Sequence, residues 1–476
     1  MITRRSFLKL AGLTSIAPLF SACEQATWLI GQANLPAPTI AMVNRHNNAT
    51  EKIATHMLKR LTYGIRPGDI EQVSSKGISS FIDEQLNPES ISDSRAYWLV
   101  RRIDTINLKA PDIFELTAKQ AIGDLRQATI LRAIYSERQL QELMVEFWSD
   151  HFNIYCEKAD CAWLKLIDDR EVIRKHALGK FRNLLQASAT SPAMLSYLDG
   201  SSNQVGKLNE NYARELLELH TLGVKGGYSQ KDVMQAAKAL SGWQTNQRFW
   251  RGKVKFENNL HDFDEKEILG QRFSADASSD LEDLINLVSS HPSTAIFIST
   301  KLCHRFVSET PSQELVLQVA KRFQESDGDI KETLRVMFNS EEFLNATPKF
   351  KRPYSYLISA LRAINANSDG KTGLQEHLNA LGQLPFNWPT PDGYPDKEEH
   401  WQNQLLPRWN FAIALANNQI SGTNCNLEVL SSNLNSFATS LIGRELTENE
   451  LIAINQAENI NDKVALLLCL PDFQYQ

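Results

Sequence analysis

The chain reads as an all-α protein, a large multi-helix body interrupted near 243–275 by a long loop or small hairpin. Three observations lead there. Apolar residues recur at spacings of three and four along most of the sequence, the period of a helix with one buried face. Alternation at a spacing of two is clear only around 250–258, where Val254 and Phe256 alternate with charged residues. No fixed-period repeat is present, which excludes a stack of identical units.

The elements follow in order. Ile53, Met57, Leu58 and Leu61 make a first helical stripe that ends before Gly64, and the turn Arg66-Pro67-Gly68-Asp69 introduces a second short helix through Ile70 and Val73. A third carries Phe81, Ile82 and Leu86 and stops at Asn87-Pro88. Two longer helices follow at 114–136, with Ile122 and Leu125, and at 137–152, with Leu140, Leu143, Met144, Phe147 and Trp148. The stretch 170–188 is helical again, and Pro192 opens the next helix from a first-turn position. These readings give one large helical domain over 51–476.

Ahead of it, Arg4, Arg5 and Lys9 precede an apolar run from Leu10 to Phe20, which resembles a twin-arginine export signal over residues 1–22. Phe20-Ser21-Ala22-Cys23 resembles a bacterial lipobox, so the expectation is a periplasmic or membrane-anchored protein held through a lipid on Cys23. Residues 23–50, with Leu35-Pro36-Ala37-Pro38, read as a tether or extended lead-in. Loss of the signal would move the formal charge from −6 to −9, against a general nucleic-acid binder. No internal apolar run reaches the roughly 18 residues of a membrane span. Cys156 and Cys161 are spaced for a local disulfide, but no second pair is present for a four-cysteine zinc site.

The helix over 208–222 carries the most chemistry. Leu208, Tyr212, Leu216 and Leu219 form an apolar stripe, while Asn211, Glu215 and Glu218 share another face. Two carboxylates on one face make half a metal site or an acid–base pair. The plainer account is that Arg214 pairs with Glu210 and Glu218 along the helix, worth ~0.2–0.5 kcal/mol each. Gly223 then caps the helix, and Ser229 with Asp232 forms a capping box that restarts it toward Trp243.

The run from Asn211 through Tyr212, Arg214, Glu215, Glu218 and His220 to Gly223 is followed by Gly227-Tyr228, Asp232 and Ser241-Gly242-Trp243. With Trp148 to Asn153, His261-Asp262, His291 to Ala295, Lys301, Arg305, Pro391-Asp392-Gly393 and Pro471-Asp472-Phe473, it resembles the bacterial exported family catalogued as domain of unknown function 1800. Ser241 stands where Thr is usual there, and Asp472 where Glu is usual. The resemblance implies an exported, largely helical protein without a settled activity. It also implies a neighbour, since members are often encoded beside exported sulfatase-like proteins.

Two functions from different classes are open. One is a metal-assisted hydrolase of the cell envelope, in which Glu215, Glu218, His261, Asp262 and Arg214 are catalytic and His151, Glu215, His220 and His261 hold zinc, manganese or iron. Lys301 and Arg305 would add anion contacts. The other is a noncatalytic binding or assembly factor for a sulfatase-like partner or an envelope polysaccharide, for which Trp388, Tyr394 and Trp401 offer flat rings that serve equally as plugs.

Overall fold

The computed structural model of the chain describes residues 49–246, 251–273 and 279–476. The expected export signal, Cys23 and the tether as far as residue 48 lie outside the described residues. The described body is mostly helical, with three two-stranded antiparallel sheets. No described helix is long and apolar enough to cross a membrane.

The three short N-terminal helices are α1 (Ala49–Leu61), α2 (Asp69–Lys76) and α3 (Ile78–Leu86). The long pair is α4 (Ala118–Tyr135) and α5 (Gln139–His151), with the Thr117 side chain accepting from the Gln120 N–H to cap α4. Cys156 and Cys161, the latter opening α6 (Cys161–Asp168), are both buried free thiols, so the local disulfide is not formed.

The stretch expected as one helix over 170–188 is broken. A π-helical turn occupies Asp169–Ile173, and a new helix, α7 (Phe181–Ala189), starts only after Gly179. Tertiary contacts take over the local period. Arg174 reaches both Asp169 and Glu142 at 2.8 Å, and the Phe181 N–H donates to the Gly328 carbonyl. The 208–222 helix behaves similarly: α8 (Glu210–Glu215) runs directly into a π-helical turn at Leu216–Thr221. There the Leu222 N–H donates to the Leu217 carbonyl at 2.8 Å, and Thr221 Oγ1 donates to the Leu216 carbonyl at 2.7 Å.

The Ser229–Asp232 capping box opens α9 (Gln230–Ala239). The interruption that follows consists of two small ladders, β1 (Trp243–Thr245) with β2 (Val254–Phe256) and β3 (Lys266–Ile268) with β4 (Gln271–Phe273). His261 and Asp262, expected as catalytic residues and His261 also as a metal ligand, lie here among partners that tie them to the fold. His261 Nδ1 lies 2.9 Å from the Ser241 carbonyl, and Nε2 lies 2.9 Å from Asp280 Oδ2. Lys266 Nζ meets the same Asp280 oxygen at 2.7 Å, and all three side chains are sealed from solvent. Asp262 accepts from the Asp264 N–H and faces Lys238, which makes it a turn residue. The cluster fastens the ladders to α10 (Asp280–Ser290).

Pro292 opens α11 (Pro292–Phe306), with the His291 ring accepting from the Ser293 N–H. This helix packs on α12 (Gln313–Glu325), which packs on α13 (Ile330–Phe338). The centre of the molecule is α14 (Pro353–Ala363), every residue of which is buried. The helix over 208–222 buries Tyr212, Ala213, Leu216, Leu217 and His220 and leaves Arg214, Glu215 and Glu218 half-buried on its outer face. Beyond α14 come α15 (Leu405–Ala416), α16 (Leu434–Ile442) and α17 (Ile460–Cys469), and one apolar core joins residues from Ala54 to Phe473.

Asp280→Ala would leave the Lys266 charge buried without its partner. The expected cost is about 3–5 kcal/mol, the range for breaking a buried pair. Urea unfolding checks it, and a change below about 1 kcal/mol would contradict this role.

Candidate functional site

Three segments distant in sequence meet at one point. The last residue of α5 is His151, the π-turn supplies His220, and the third turn of α11 supplies Lys301. His151 Nε2 lies 3.0 Å from the His220 carbonyl, a group left free where a helix ends. That acceptor takes the ring's N–H, so Nδ1 keeps its lone pair and receives Lys301 Nζ at 3.0 Å. Burial, with the Lys301 charge beside it, pushes the His151 ring well below its usual range. Burial and Lys301 also push the His220 ring down, to about 3. Both imidazoles are therefore neutral at ordinary pH, and neither nitrogen of His220 has a hydrogen-bond partner among the described residues.

Lys301 is the unusual member. Burial lowers its amine to about 8, although Asp150, Asp392 and Asp396 pull in the opposite direction. No carboxylate among the described residues lies within ion-pair distance of it. Glu215 also lies in the field of Asp392. Its carboxyl is raised by partial burial and by the negative charges of Glu218 and Asp392. Glu218 in turn accepts from the Tyr228 hydroxyl at 3.1 Å. The carboxylate face expected on the 208–222 helix is thus real, and it is shared with an acid from another segment.

That segment, 382–396, has almost no regular structure, and its own Tyr394 together with side chains from the body holds its carbonyls. Tyr394 donates to Leu384, Arg126 to Pro385, Asn153 to both Trp388 and Thr390, and Tyr197 to Pro389, at 2.7–3.0 Å. The Cys156 N–H donates to Phe386. Gly393 sits against α5 with φ 76°, where an added Cβ would lie 2.1 Å from the Asp150 carbonyl, so only glycine fits.

Beneath the segment lies a buried ionic network. Glu146 receives Arg305 at 2.8 Å, Arg352 at close range and the Tyr63 hydroxyl at 2.9 Å. Arg352 also pairs with Asp150 at 2.8 Å, while Asp396 pairs with Lys349 at 2.8 Å and Arg305 at 3.5 Å. Burial alone would raise the Glu146 carboxyl, but Arg305 and Arg352 outweigh it and hold the group below its usual range.

The expected site residues are distributed over this geometry unevenly. Among the described residues no group of three His, Cys, Asp or Glu side chains could hold a metal ion. His151 and His220 adjoin each other, but the contacts of the His261 ring are with Ser241, Asp280, Phe256 and Phe263. The four expected ligands therefore do not form a set. Arg214 reaches Glu210 at 3.3 Å and Gln230 at 3.0 Å from an exposed position, the plain intrahelical arrangement. Arg305 is consumed by Glu146 and Asp396 and is not a free anion contact. Of the three rings, Tyr394 and Trp401 are buried plugs, and half-buried Trp388 donates to Asp392.

The sequence marks Glu146 only as a carboxylate that Arg214 would reach, whereas its partners are Arg305 and Arg352, and it does not single out Asp150, Arg352, Asp392 or Asp396 as site residues. Asp150 and Asp392 stand beside marked residues, in Trp148-Ser149-Asp150-His151 and Pro391-Asp392-Gly393. Those short runs were the only available signal.

Arg352→Met should cost about 3–5 kcal/mol because it strands Glu146 and Asp150 in the interior. Arg214→Lys should cost less than about 0.5 kcal/mol, as befits an exposed pair. Urea unfolding of both variants checks the contrast, and equal losses would contradict it.

No curated protein and no solved structure matches the chain. One family model matches residues 56–475, nearly the whole described body, and the chain accordingly belongs to the family described as "Protein of unknown function (DUF1800)".

Proposed function

We propose that the chain is an exported hydrolase of the bacterial cell envelope in which Lys301 is the general base. One observation carries the reading. A half-buried amine lowered to about 8 faces no paired carboxylate and is held on the lone pair of a neutral His151. Its value lies near working pH, where proton transfer by a positioned side chain is most effective. The free amine takes a proton from water, and the resulting hydroxide attacks the electrophilic centre of the substrate. The ammonium so formed gives its proton to the departing group, and Glu215, its carboxyl raised by partial burial and by the charges of Glu218 and Asp392, helps to orient the attacking water. The expected zinc, manganese or iron has no assembled ligand set among the described residues, so no step passes through a metal. Export and a lipid on Cys23 belong to this proposal on the strength of residues 1–23.

A second reading is a noncatalytic binding or assembly factor for a sulfatase-like partner or an envelope polysaccharide. It draws on the outer face of α15, where Leu405, Leu406, Trp409 and Ile413 are exposed. Apolar and aromatic groups gathered on one surface mark interaction sites.

The two readings separate on chromogenic phosphate, sulfate, ester and glycoside substrates assayed from pH 6 to 10. The hydrolase reading expects turnover that rises through pH 8, falls at least about 100-fold in Lys301→Met and falls in Glu215→Gln. Turnover absent throughout, or unchanged in Lys301→Met, would favour the binding reading.

Stability supplies an independent check. The folded amine titrates at about 8 and the unfolded one at 10.5, so the folded state carries a strained charge at pH 7 that is relieved as pH rises from 8 to 10.5. Lys301→Met should therefore melt higher than the native chain at pH 7, with the gain shrinking toward pH 10.5. A lower melting temperature at pH 7 would show that the lysine serves the fold.

A further inference from the structure

A second cavity lies away from the Lys301 site, between the turn joining α1 to α2 and the helix α16. It measures about 90 Å³, about three times the roughly 30 Å³ that a water molecule occupies in the liquid. Its walls are largely apolar, with Ile65, Ile70, Ala363, Phe437 and Leu441 among them. Lys351 and Lys59 line it as well, together with Arg66, which pairs with Glu137, and the exposed Glu71.

Lys351 is only 5% exposed. Its amine donates to the Phe473 carbonyl at 2.8 Å and lies 3.8 Å over the Phe473 ring. The backbone fixes it there, because the Lys351 N–H donates to the Gln474 carbonyl. No carboxylate among the described residues pairs with it. Lys59 makes one long hydrogen bond, 3.4 Å to the Ile442 carbonyl. The acid whose field Lys59 feels, Asp472, is itself held by Arg444. Burial, reinforced by Lys59 and Arg408, pushes the Lys351 amine well below its usual range, as expected of a cation without a counter-charge.

A buried cation is normally paired. Here no carboxylate among the described residues lies within ion-pair distance of the amine, while the cavity that Lys351 lines is walled largely by hydrocarbon. A small anion with an apolar body meets both conditions. We infer that this cavity binds a small amphipathic carboxylate, its head on Lys351 and Lys59 and its tail against Phe437, Leu441 and Ile65. The site is independent of the Lys301 reading, since it shares no residue with it. At about 90 Å³ the cavity holds only part of such a tail, and a longer one extends beyond it.

Calorimetric titration of the full chain with butanoate, hexanoate, octanoate and decanoate tests the inference, with the matching alcohols and alkylammonium ions as controls. The carboxylates should bind at least tenfold tighter than the alcohols, and affinity should rise with tail length and then level off. Lys351→Met should remove the preference for carboxylate over alcohol, and Ser440→Trp, which fills the cavity, should weaken every member. Should Lys351→Met fail to fold, Lys59→Met at the half-buried position gives the same reading, with a preference reduced at least threefold. Equal binding of carboxylates, alcohols and ammonium ions would overturn the assignment. So would no binding at millimolar concentration, or a preference unchanged in the lysine variant.

Discussion

The interaction on which the rest depends is the burial of Glu146 between two arginines. A carboxylate inside a helical body is costly unless its oxygens are fully met, and Arg305, Arg352 and the Tyr63 hydroxyl meet them. Each donor comes from a different part of the chain: the end of α1, α11 and the entry to α14. The pair therefore acts as a registry mark that fixes where these segments cross. Arg352 and Arg305 carry the same logic outward to Asp150 and Asp396, and Asp396 ends the irregular 382–396 segment. The network thus reaches from the core to the surface through alternating charges.

The consequence is a rigid cover without regular structure. A segment that makes neither helix nor ladder still has to satisfy its carbonyls, and Arg126, Asn153, Tyr197 and Tyr394 do so one by one. Held this way, Asp392 stands near both Glu215 and Lys301, and solvent is partly kept from the amine. Two π-turns complete the arrangement. The one at Leu216–Thr221 turns His220 inward and leaves its carbonyl free to fix the His151 ring. Such turns recur at functional sites because an extra residue in one turn re-aims a side chain at some cost in stability.

Much of the scaffold was legible because it is local. Pro292 in a first turn, the Ser229–Asp232 capping box, the stop at Asn87-Pro88 and the ladders within 243–275 depend on neighbours a few residues apart. The site was legible only in pieces. His151, Glu215, His220 and Lys301 stood out by residue type, but His151 and Lys301 are 150 residues apart, and nothing in a helical period joins them. The π-turns are invisible to periodicity, since tertiary bonds such as those of Arg174 create the one at Asp169–Ile173. His261 misled for a physical reason. A histidine in a long loop resembles a ligand in sequence, and Asp280, its partner from the next helix, turns it into a fastening.

What unites the account is a lysine held in a place where its charge is costly. The network beneath and the segment above keep the amine sheltered, and the neutral His151 ring gives it a hydrogen bond but no counter-charge. Nuclear magnetic resonance titration of the chain carrying lysine labelled with carbon-13 at Cε, with Lys301→Met to assign the signal, measures this directly. One lysine resonance, missing in the variant, should show a midpoint near pH 8. A Lys301 midpoint at or above its ordinary 10.5 would contradict it.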